Sequence, residues 1–185
     1  MKIYETLDEH LKGFILKQKM FFVASAPSSP NAMVNLSPKG LDTFKIIDDR
    51  SVAYLDLTGS GNETSAHILE NQRLTVMFCS FSGAPLILRL YGRGEVILPG
   101  NEQWQDLLHA FPTYPGIRQV IKLHIETVQT SCGFAVPEYD FVRQRDDLNT
   151  WAQKKGANGI SKYQKNNNLI SIDGKATHLS AKTDD

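Results

Sequence analysis

The sequence lacks the long apolar segments that carry proteins into or across membranes. No apolar run approaches the roughly 18 residues that a spanning helix needs, and Met1–Glu5 does not begin the apolar core of a signal peptide. Cysteine is scarce as well, since Cys79 and Cys132 are the only two and lie far apart. Two distant cysteines without an export signal are typical of reduced thiols. We therefore expect a cytoplasmic protein that does not bind a membrane.

The sequence also lacks net charge, because 20 lysines and arginines balance 20 aspartates and glutamates. This balance argues against a general binder of nucleic acid. The five histidines do not show the spacing of metal ligands, and there is no Cys-x-x-Cys pair, so we expect no metal site. A Gly-x-Ser-x-Gly motif is missing too, which leaves hydrolase chemistry without support.

What the sequence does contain is a series of segments rich in β-forming residues, most of them joined by short turns. The segments are Lys19–Ala26, Met33–Ser37, Thr43–Ile47, Val52–Leu57, Leu74–Phe78, Leu86–Leu98 and Arg118–Ser131. Such short connections join antiparallel strands, because a parallel crossover needs about a dozen residues or more. Gly92 and Gly94 predict a bulge or a barrel corner in the longest segment. We therefore predict a mainly β protein, a six- to seven-stranded antiparallel barrel with peripheral helices, and not a doubly wound Rossmann-type sheet.

Helical patterns lie between and after the strands. They occupy Thr6–Lys17, Asn101–Phe111, Asp146–Lys155 and Ile160–Lys165. Thr6 and Glu9 have the spacing of a capping box at the first of these helices. No linker or repeat divides the chain, so we expect a single domain over residues 1–185 with a helical C-terminal extension from about 146. The polar end, Lys175–Asp185, is expected to be loose.

The most informative stretch is Val52–Phe81, which combines a strand, a glycine turn, a helix and a second strand. Gly59 and Gly61 stand directly before the start of the helix. Backbone N–H groups can converge there on an anion, which the helix dipole also favours. The stretch therefore predicts a phosphate site, although it matches neither a P-loop nor the dinucleotide fingerprint. The alternative is a plain helix cap, since Ser60 and Glu63 have the spacing of a capping box.

Three further groups contain residue types that can hold a ligand. Ser37 and Lys39 flank a proline, although a lysine in a turn is more often simply solvated. Arg89 lies between two leucines, and an arginine that is buried needs a carboxylate or a phosphate as partner. Ser131 and Cys132 precede a glycine, where a thiol more often packs than binds a ligand.

Together these segments resemble the pyridoxamine 5′-phosphate oxidase-related proteins of the FMN-binding split-barrel superfamily. The matching segments are, in chain order, Met33–Gly40, Val52–His67, Glu70–Phe78 and Arg89–Gly92. In that family the first of these runs along the isoalloxazine ring and the second holds the FMN phosphate. The resemblance covers about Phe21–Leu98, and it implies a split barrel with FMN as its cofactor.

The resemblance, with the residue types above, implies a set of cofactor-binding residues. They are Asn35, Ser37, Lys39, Leu57, Thr58, Ser60, Asn62, Glu63, Thr64, Arg89, Ser131 and Cys132. The true oxidase opens its phosphate helix with an Arg-Lys pair, whereas Glu63 and Thr64 stand in those places here. Lys39 and Arg89 are the candidate replacements, and Lys39 is also expected at the N1–C2 edge of the ring. No residue is assigned as a catalytic acid or base.

The resemblance further implies a homodimer with the cofactor between its subunits, so that Arg118–Phe134 contacts either copy of FMN. The expected function is an FMN-dependent oxidoreductase acting on a small substrate. Ser131–Phe134 with Val136-Pro137 resembles flavin-binding relatives rather than the true oxidase. Two alternatives are a flavin- or haem-binding module without turnover, such as a carrier or sensor, and a barrel used for protein interaction. A deazaflavin or haem in place of FMN is left open.

Overall fold

The structure is a computed structural model in which residues 1–180 are described. Its strands are β1 (Lys2–Tyr4), β2 (Phe21–Ser25), β3 (Asn35–Lys39), β4 (Phe44–Asp48), β5 (Ser51–Leu57), β6 (Arg73–Cys79), β7 (Ile87–Ile97) and β8 (Ile117–Ser131). Its helices are α1 (Glu9–Lys17), α2 (Glu63–Asn71), α3 (Trp104–His109) and α4 (Asp147–Asn167). The predicted mainly β protein with peripheral helices is confirmed. Within the described residues, no helix has the length and apolar character to cross a membrane.

The strands form one antiparallel sheet that curls into a half-barrel. Seven of them follow the order β3-β2-β6-β7-β8-β5-β4, and β1 pairs with β8 beside this path. Every strand pairing in residues 1–180 is antiparallel, as the short connections predict. The sequence does not reveal β1, because three residues are too few to show an alternation. This architecture confirms the predicted split barrel.

Both predicted capping boxes are wrong. The N-cap of α1 is Asp8, whose side chain accepts a backbone N–H at 2.8 Å, and not Thr6. The N-cap of α2 is Asn62, and no side chain caps that helix. Ser60 and Glu63 therefore do not form the plain cap that is the alternative to an anion site.

Gly92 and Gly94 allow β7 to approach its neighbours closely. The register between β7 and β8 shifts between Tyr91 and Gly92, which confirms the predicted bulge. A Cβ on Gly92 would lie 1.9 Å from the carbonyl oxygen of His124, and one on Gly94 would lie 2.7 Å from Cδ1 of Ile68. Only glycine permits this packing of β7 against both β8 and α2.

Two apolar clusters cover opposite faces of the curled sheet. The larger cluster packs α1 and α2 against the inner face. Its centre is an aromatic group with ring centroids 5.0 to 5.9 Å apart, formed by Phe21, Phe44, Tyr54 and Phe78. The smaller cluster joins α3 to the outer face through Leu55 and Val120. The outer face of β3, β2, β6 and β7 has no such helix among the described residues.

The C-terminal extension returns to the glycine turn. Gly156, with φ of 64° and ψ of 171°, interrupts α4, in agreement with the two predicted helical segments. Residues 168–178, here called the hook, then pack against α2, and Thr177 is 0% exposed. The prediction that Lys175–Asp185 is loose is therefore wrong for the part before residue 181. Residues 181–185 lie outside the described part of the chain.

Replacing Gly92 with alanine is expected to destabilise the fold, because the added methyl group would overlap the carbonyl of His124. Overpacking of this kind lowers the free energy of unfolding by about 1–3 kcal/mol or more. Gly13→Ala is the matched control, since a Cβ there meets nothing within 4 Å and alanine favours the helix. Urea unfolding of both variants measures the difference. If Gly92→Ala is as stable as the parent protein, β7 and β8 do not approach each other at the bulge as closely as described.

Candidate functional site

The glycine turn, residues 58–62, starts from a rigid point at the end of β5. The first six residues of this strand are buried, which fixes where the chain leaves the sheet. The N–H and the hydroxyl of Thr58 then both donate to the carbonyl of Gly116, at 2.9 and 2.7 Å. Gln164 of α4 donates to the Thr58 hydroxyl oxygen at 2.7 Å. These contacts fix the position of Thr58, where the turn begins.

Two carbonyl groups of the turn accept hydrogen bonds from the protein, while its N–H groups from Ser60 onward have no acceptor among the described residues. The carbonyl oxygen of Gly59 accepts from Nδ2 of Asn168 at 3.0 Å. The carbonyl oxygen of Gly61 accepts from Nη1 of Arg118 at 2.8 Å. Within residues 1–180, the backbone N–H groups of residues 60–64 have no hydrogen-bond acceptor. Consecutive free N–H groups at a helix start are the arrangement that binds phosphate.

A buried polar network centred on Asp56 lies beneath the turn. This carboxylate is 3% exposed and accepts from Nε and Nη2 of Arg118 at 3.0 and 2.7 Å. Gln119 Nε2 donates to it at 2.8 Å, and Lys39 Nζ lies 3.2 Å from its second oxygen. Gln119 also donates to Oδ1 of Asn62 at 2.8 Å. The network therefore connects the N-cap of α2 to β5 and β8.

The charges of this network leave Asp56 ionised. Burial raises the pKa of its carboxyl, but the nearby Arg118 and Lys39 and the hydrogen bonds from Arg118 and Gln119 outweigh burial and hold the pKa below its ordinary value. Two cations thus face one carboxylate beneath the turn.

Sequence motifs do not select Asp56 or Gln119 as site residues. The signal that reveals Asp56 is a single carboxylate in an otherwise apolar strand, because such a charge needs a partner when buried. Its partner Arg118 lies 62 residues away in the chain. No local spacing links two residues at that separation.

Three of the predicted residues, Asn35, Ser37 and Thr64, lie together at the junction of β3 and α2. Asn35 Nδ2 donates to Thr64 Oγ1 at 3.0 Å, and Ser37 Oγ donates to Asn35 Oδ1 at 3.0 Å. Beside them, Ser25 Oγ lies 2.9 Å from Nδ1 of His67. Burial lowers the pKa of His67 more than the surrounding carboxylates raise it, so the imidazole is neutral at neutral pH.

The two cations predicted to replace the Arg-Lys pair lie on opposite faces of the sheet. In the sheet register Lys39 pairs with Phe21. Arg89 pairs with Met77, which pairs in turn with Phe22. Neighbouring residues of a strand point to opposite faces, and Phe21 and Phe22 are neighbours. A single subunit therefore does not bring Lys39 and Arg89 to the same phosphate.

Arg89 lies instead with Ser131 and Cys132, at the end of β8 far from the turn. Its Nη1 donates to Ser131 Oγ at 3.1 Å. Ser131 and the exposed Cys132 line a cavity of about 280 Å³, together with residues of β1 and α1. Leu57, by contrast, pairs with Ile117 at the start of β8. The predicted residues thus form two separate groups within one chain.

Glu63 has a different role from the cation that the true oxidase has in its place. Its Oε2 accepts from the backbone N–H of Ile172 in the hook at 3.0 Å. Its Oε1 would lie 2.9 Å from a Cβ built on Gly61. Glu63 therefore fastens the hook to α2 and puts a negative charge beside the turn, next to the exposed Ser60.

The turn thus offers hydrogen-bond donors rather than a group for proton transfer. Lys39, Asp56 and Arg118 are engaged in ion pairs with one another, and His67 is 1% exposed. Such a site is suited to binding and orienting an anionic ligand.

Comparison with known proteins identifies relatives of the chain. The family model described as pyridoxamine 5′-phosphate oxidase matches residues 7–132. The pyridoxamine 5′-phosphate oxidase family protein ustO of Aspergillus flavus is 44% identical over 146 residues, which cover 74% of this chain and 56% of that protein. The chain therefore spans little more than half the length of this relative.

Solved structures show a similar fold. HupZ of Group A Streptococcus gives a TM-score of 0.52 at 18% identity, covering 66% of this chain and 91% of that one. A Lactobacillus delbrueckii protein provisionally named as a pyridoxamine 5′-phosphate oxidase gives a TM-score of 0.54 at 19% identity, covering 70% and 99%. At these identities the similarity concerns the fold alone.

Replacing Asp56 with asparagine is expected to destabilise the protein by about 3–5 kcal/mol, because Arg118 would stay buried without its carboxylate. The pH dependence should change as well. The folded-state pKa of Asp56 lies below the ordinary value of about 4, so its ionised form contributes stability above that pH, and the contribution is lost as the pH falls through the folded-state pKa. The variant should therefore lose less stability in acid than the parent protein does.

Urea unfolding between about pH 3 and pH 7 measures both effects, since acid denaturation follows the titration of paired carboxylates. Asp42→Asn is the control, because Asp42 is an exposed carboxylate paired with Lys45 at the surface. This control should keep the parent profile. If Asp56→Asn keeps it as well, the buried ion pair does not stabilise the fold in the way described.

Proposed function

Because the chain belongs to the pyridoxamine 5′-phosphate oxidase family, we propose that it binds FMN and acts as an FMN-dependent oxidoreductase on a small substrate. The observation that carries the proposal is the set of backbone N–H groups in residues 60–64, which have no acceptor within the described chain. A flavin phosphate at the turn would accept from these groups and would face the positive end of α2.

Neutral donors would hold most of the phosphate. The charges of Lys39 and Arg118 are balanced by those of Asp56 and Glu63, so the region has no surplus of positive charge to replace the Arg-Lys pair. Thr64 Oγ1 accepts from the amide of Asn35, so its hydroxyl hydrogen can donate to a phosphate or to the neighbouring Tyr54 hydroxyl. The backbone N–H groups and this hydroxyl are the donors that fit a phosphate.

The end of β3 would bind the ring. Asn35 and Ser37 supply an amide and a hydroxyl beside the turn. Lys39 Nζ has one carboxylate partner at 3.2 Å and its side chain is 27% exposed, so it keeps ammonium hydrogens that would donate to the N1–C2 edge of a flavin. When bound, FMN supplies the hydride chemistry. The residues of the chain would bind it and orient it.

We also propose a homodimer formed through the outer face of β3, β2, β6 and β7. Leu36 and Tyr91 lie on this face because the register connects them through β2 and β6, and they are 64% and 36% exposed. Arg89 lies on the same face, two residues from Tyr91. A second copy packed there would bury these side chains. Analytical ultracentrifugation of the purified protein tests the dimer proposal, and a monomeric protein would refute it.

A cytosolic location is part of the proposal. Cys79 is buried and Cys132 is exposed, and both are free thiols. Free thiols are the usual state of cysteine in a reducing compartment.

A second candidate function is a flavin- or haem-binding module without turnover, such as a carrier or sensor. The observation that favours it is that Lys39 and Arg118 are both ion-paired with Asp56, so the cations beneath the turn are already engaged. A protein that binds flavin but passes no electrons from nicotinamide donors to any acceptor would support this alternative.

The visible spectrum of the purified protein, with or without added FMN, tests the cofactor. We expect the absorption bands of oxidised flavin, and Gly61→Val should weaken FMN retention at least about tenfold by placing a branched side chain among the phosphate donors. In the protein itself a Cβ at this position meets only the end of the flexible Glu63 side chain, so the fold should persist.

Thermal unfolding is the control for the fold of Gly61→Val. Unchanged FMN retention in the folded variant would place the phosphate elsewhere. A parent protein that is colourless and does not bind added FMN would refute the flavin proposal and favour a domain for protein interaction.

A further inference from the structure

The hook is built directly onto the glycine turn through Asn168. This residue is 0% exposed and donates from Nδ2 to the carbonyl oxygen of Gly59 at 3.0 Å. Its own carbonyl oxygen accepts from Nδ2 of Asn62 at 3.2 Å and from Oγ1 of Thr177 at 2.8 Å. Asn168 therefore contacts the turn at Gly59 and at Asn62, and it also contacts Thr177 near the other end of the hook.

Holding the carbonyl of Gly59 fixes the direction of the N–H group that follows it. In a planar trans peptide, the C=O and N–H bonds point in opposite directions. Since the Gly59 oxygen points to the buried amide of Asn168, the N–H of Ser60 points away from that amide. A glycine left without this contact would adopt many backbone conformations.

A second anchor, Arg118, acts on the same turn at Gly61. Nη1 of Arg118 binds the carbonyl oxygen of Gly61 at 2.8 Å, which by the same geometry turns the N–H of Asn62 away from the guanidinium. Arg118 also carries the ion pair with Asp56, so replacing it would disturb the core. Asn168 is the anchor that can be removed without breaking a buried ion pair.

The hook does not depend on the Asn168 side chain for its own position. Three contacts fasten it along α2: the Ile172 N–H to Glu63 Oε2 at 3.0 Å, Lys175 Nζ to Glu70 Oε1 at 2.9 Å, and the His178 N–H to Ser65 Oγ at 3.1 Å. Loss of the Asn168 amide would therefore release the Gly59 carbonyl and leave the hook in place.

We propose that Asn168 is a positioning residue for the flavin phosphate, and that its amide holds Gly59 so that the N–H groups of the turn face the ligand. The inference rests on the proposed function, because it requires the phosphate to bind at the turn. Asn168 acts through the backbone of Gly59 and not by touching the ligand. Within residues 1–180 its Oδ1 has no hydrogen-bond partner, so the donation to Gly59 is what the side-chain amide contributes.

The test compares FMN with riboflavin, which has the same ring and no phosphate, by fluorescence titration of the full chain. In the parent protein FMN should bind more tightly than riboflavin. Asn168→Ala should weaken FMN binding about tenfold, as expected for the loss of one buried hydrogen bond. Riboflavin binding should stay within about twofold of the parent value. A general structural defect would weaken both flavins to the same degree.

Asn167→Ala is the matched control. Asn167 is the adjacent residue, is exposed, and donates from Nδ2 to the carbonyl of Tyr163 within α4. Its replacement should leave the affinities for both flavins unchanged. If it lowers the preference for FMN as much as Asn168→Ala does, the assignment to Asn168 is overturned.

The outcomes separate this inference from the proposed function. If the parent protein binds FMN and riboflavin equally, both the proposed phosphate site and this inference are refuted. A parent protein that prefers FMN, with the preference kept in Asn168→Ala, would overturn the inference alone. Should Asn168→Ala not fold, Asn168→Leu replaces the amide with an apolar side chain of similar length that cannot donate to the Gly59 carbonyl. That variant should lower the preference for FMN, and an unchanged preference would overturn the inference.

Discussion

The ion pair between Asp56 and Arg118 is the interaction on which the candidate site depends. Both side chains are 3% exposed, and a charge buried without its partner would be strongly destabilising. The pair therefore requires β5 and β8 to meet in one register. The same guanidinium binds Gly61, and the same carboxylate binds Gln119 and Lys39. The glycine turn, the N-cap of α2 and the end of β3 thus take their positions from one buried pair.

The fold could be predicted to a large extent, because the patterns that specify it are local. The apolar run that becomes β5 and the short turns between strands indicate an antiparallel sheet, and the glycines of β7 indicate the bulge. The helix starts could not be predicted as well. Asp8 rather than Thr6 caps α1, and Asn62 is fixed by Gln119, 57 residues away. Several residues near a helix start are able to cap it, and tertiary contacts decide among them.

The candidate site was predictable only in part, because some of its residues belong to recognisable local segments and others are joined by distant contacts. Asn35, Ser37 and Thr64 are found together by resemblance, and they share a hydrogen-bonded group. The partner of Lys39 is a carboxylate 17 residues away, and the contacts of the hook join still more distant parts of the chain. A single sequence contains no pattern for such pairs, because nothing in the local spacing records which strands become neighbours.

The contact between the hook and the turn has a consequence for the order in which the molecule is made. Gly59 and Asn168 are 109 residues apart, and a contact at that separation has to close a long loop before it forms. During synthesis β3, β5 and α2 leave the ribosome well before the hook does. The turn takes its final shape only after the hook has been synthesised. The turn is thereby completed at a late stage of folding, after the strands around it have been made.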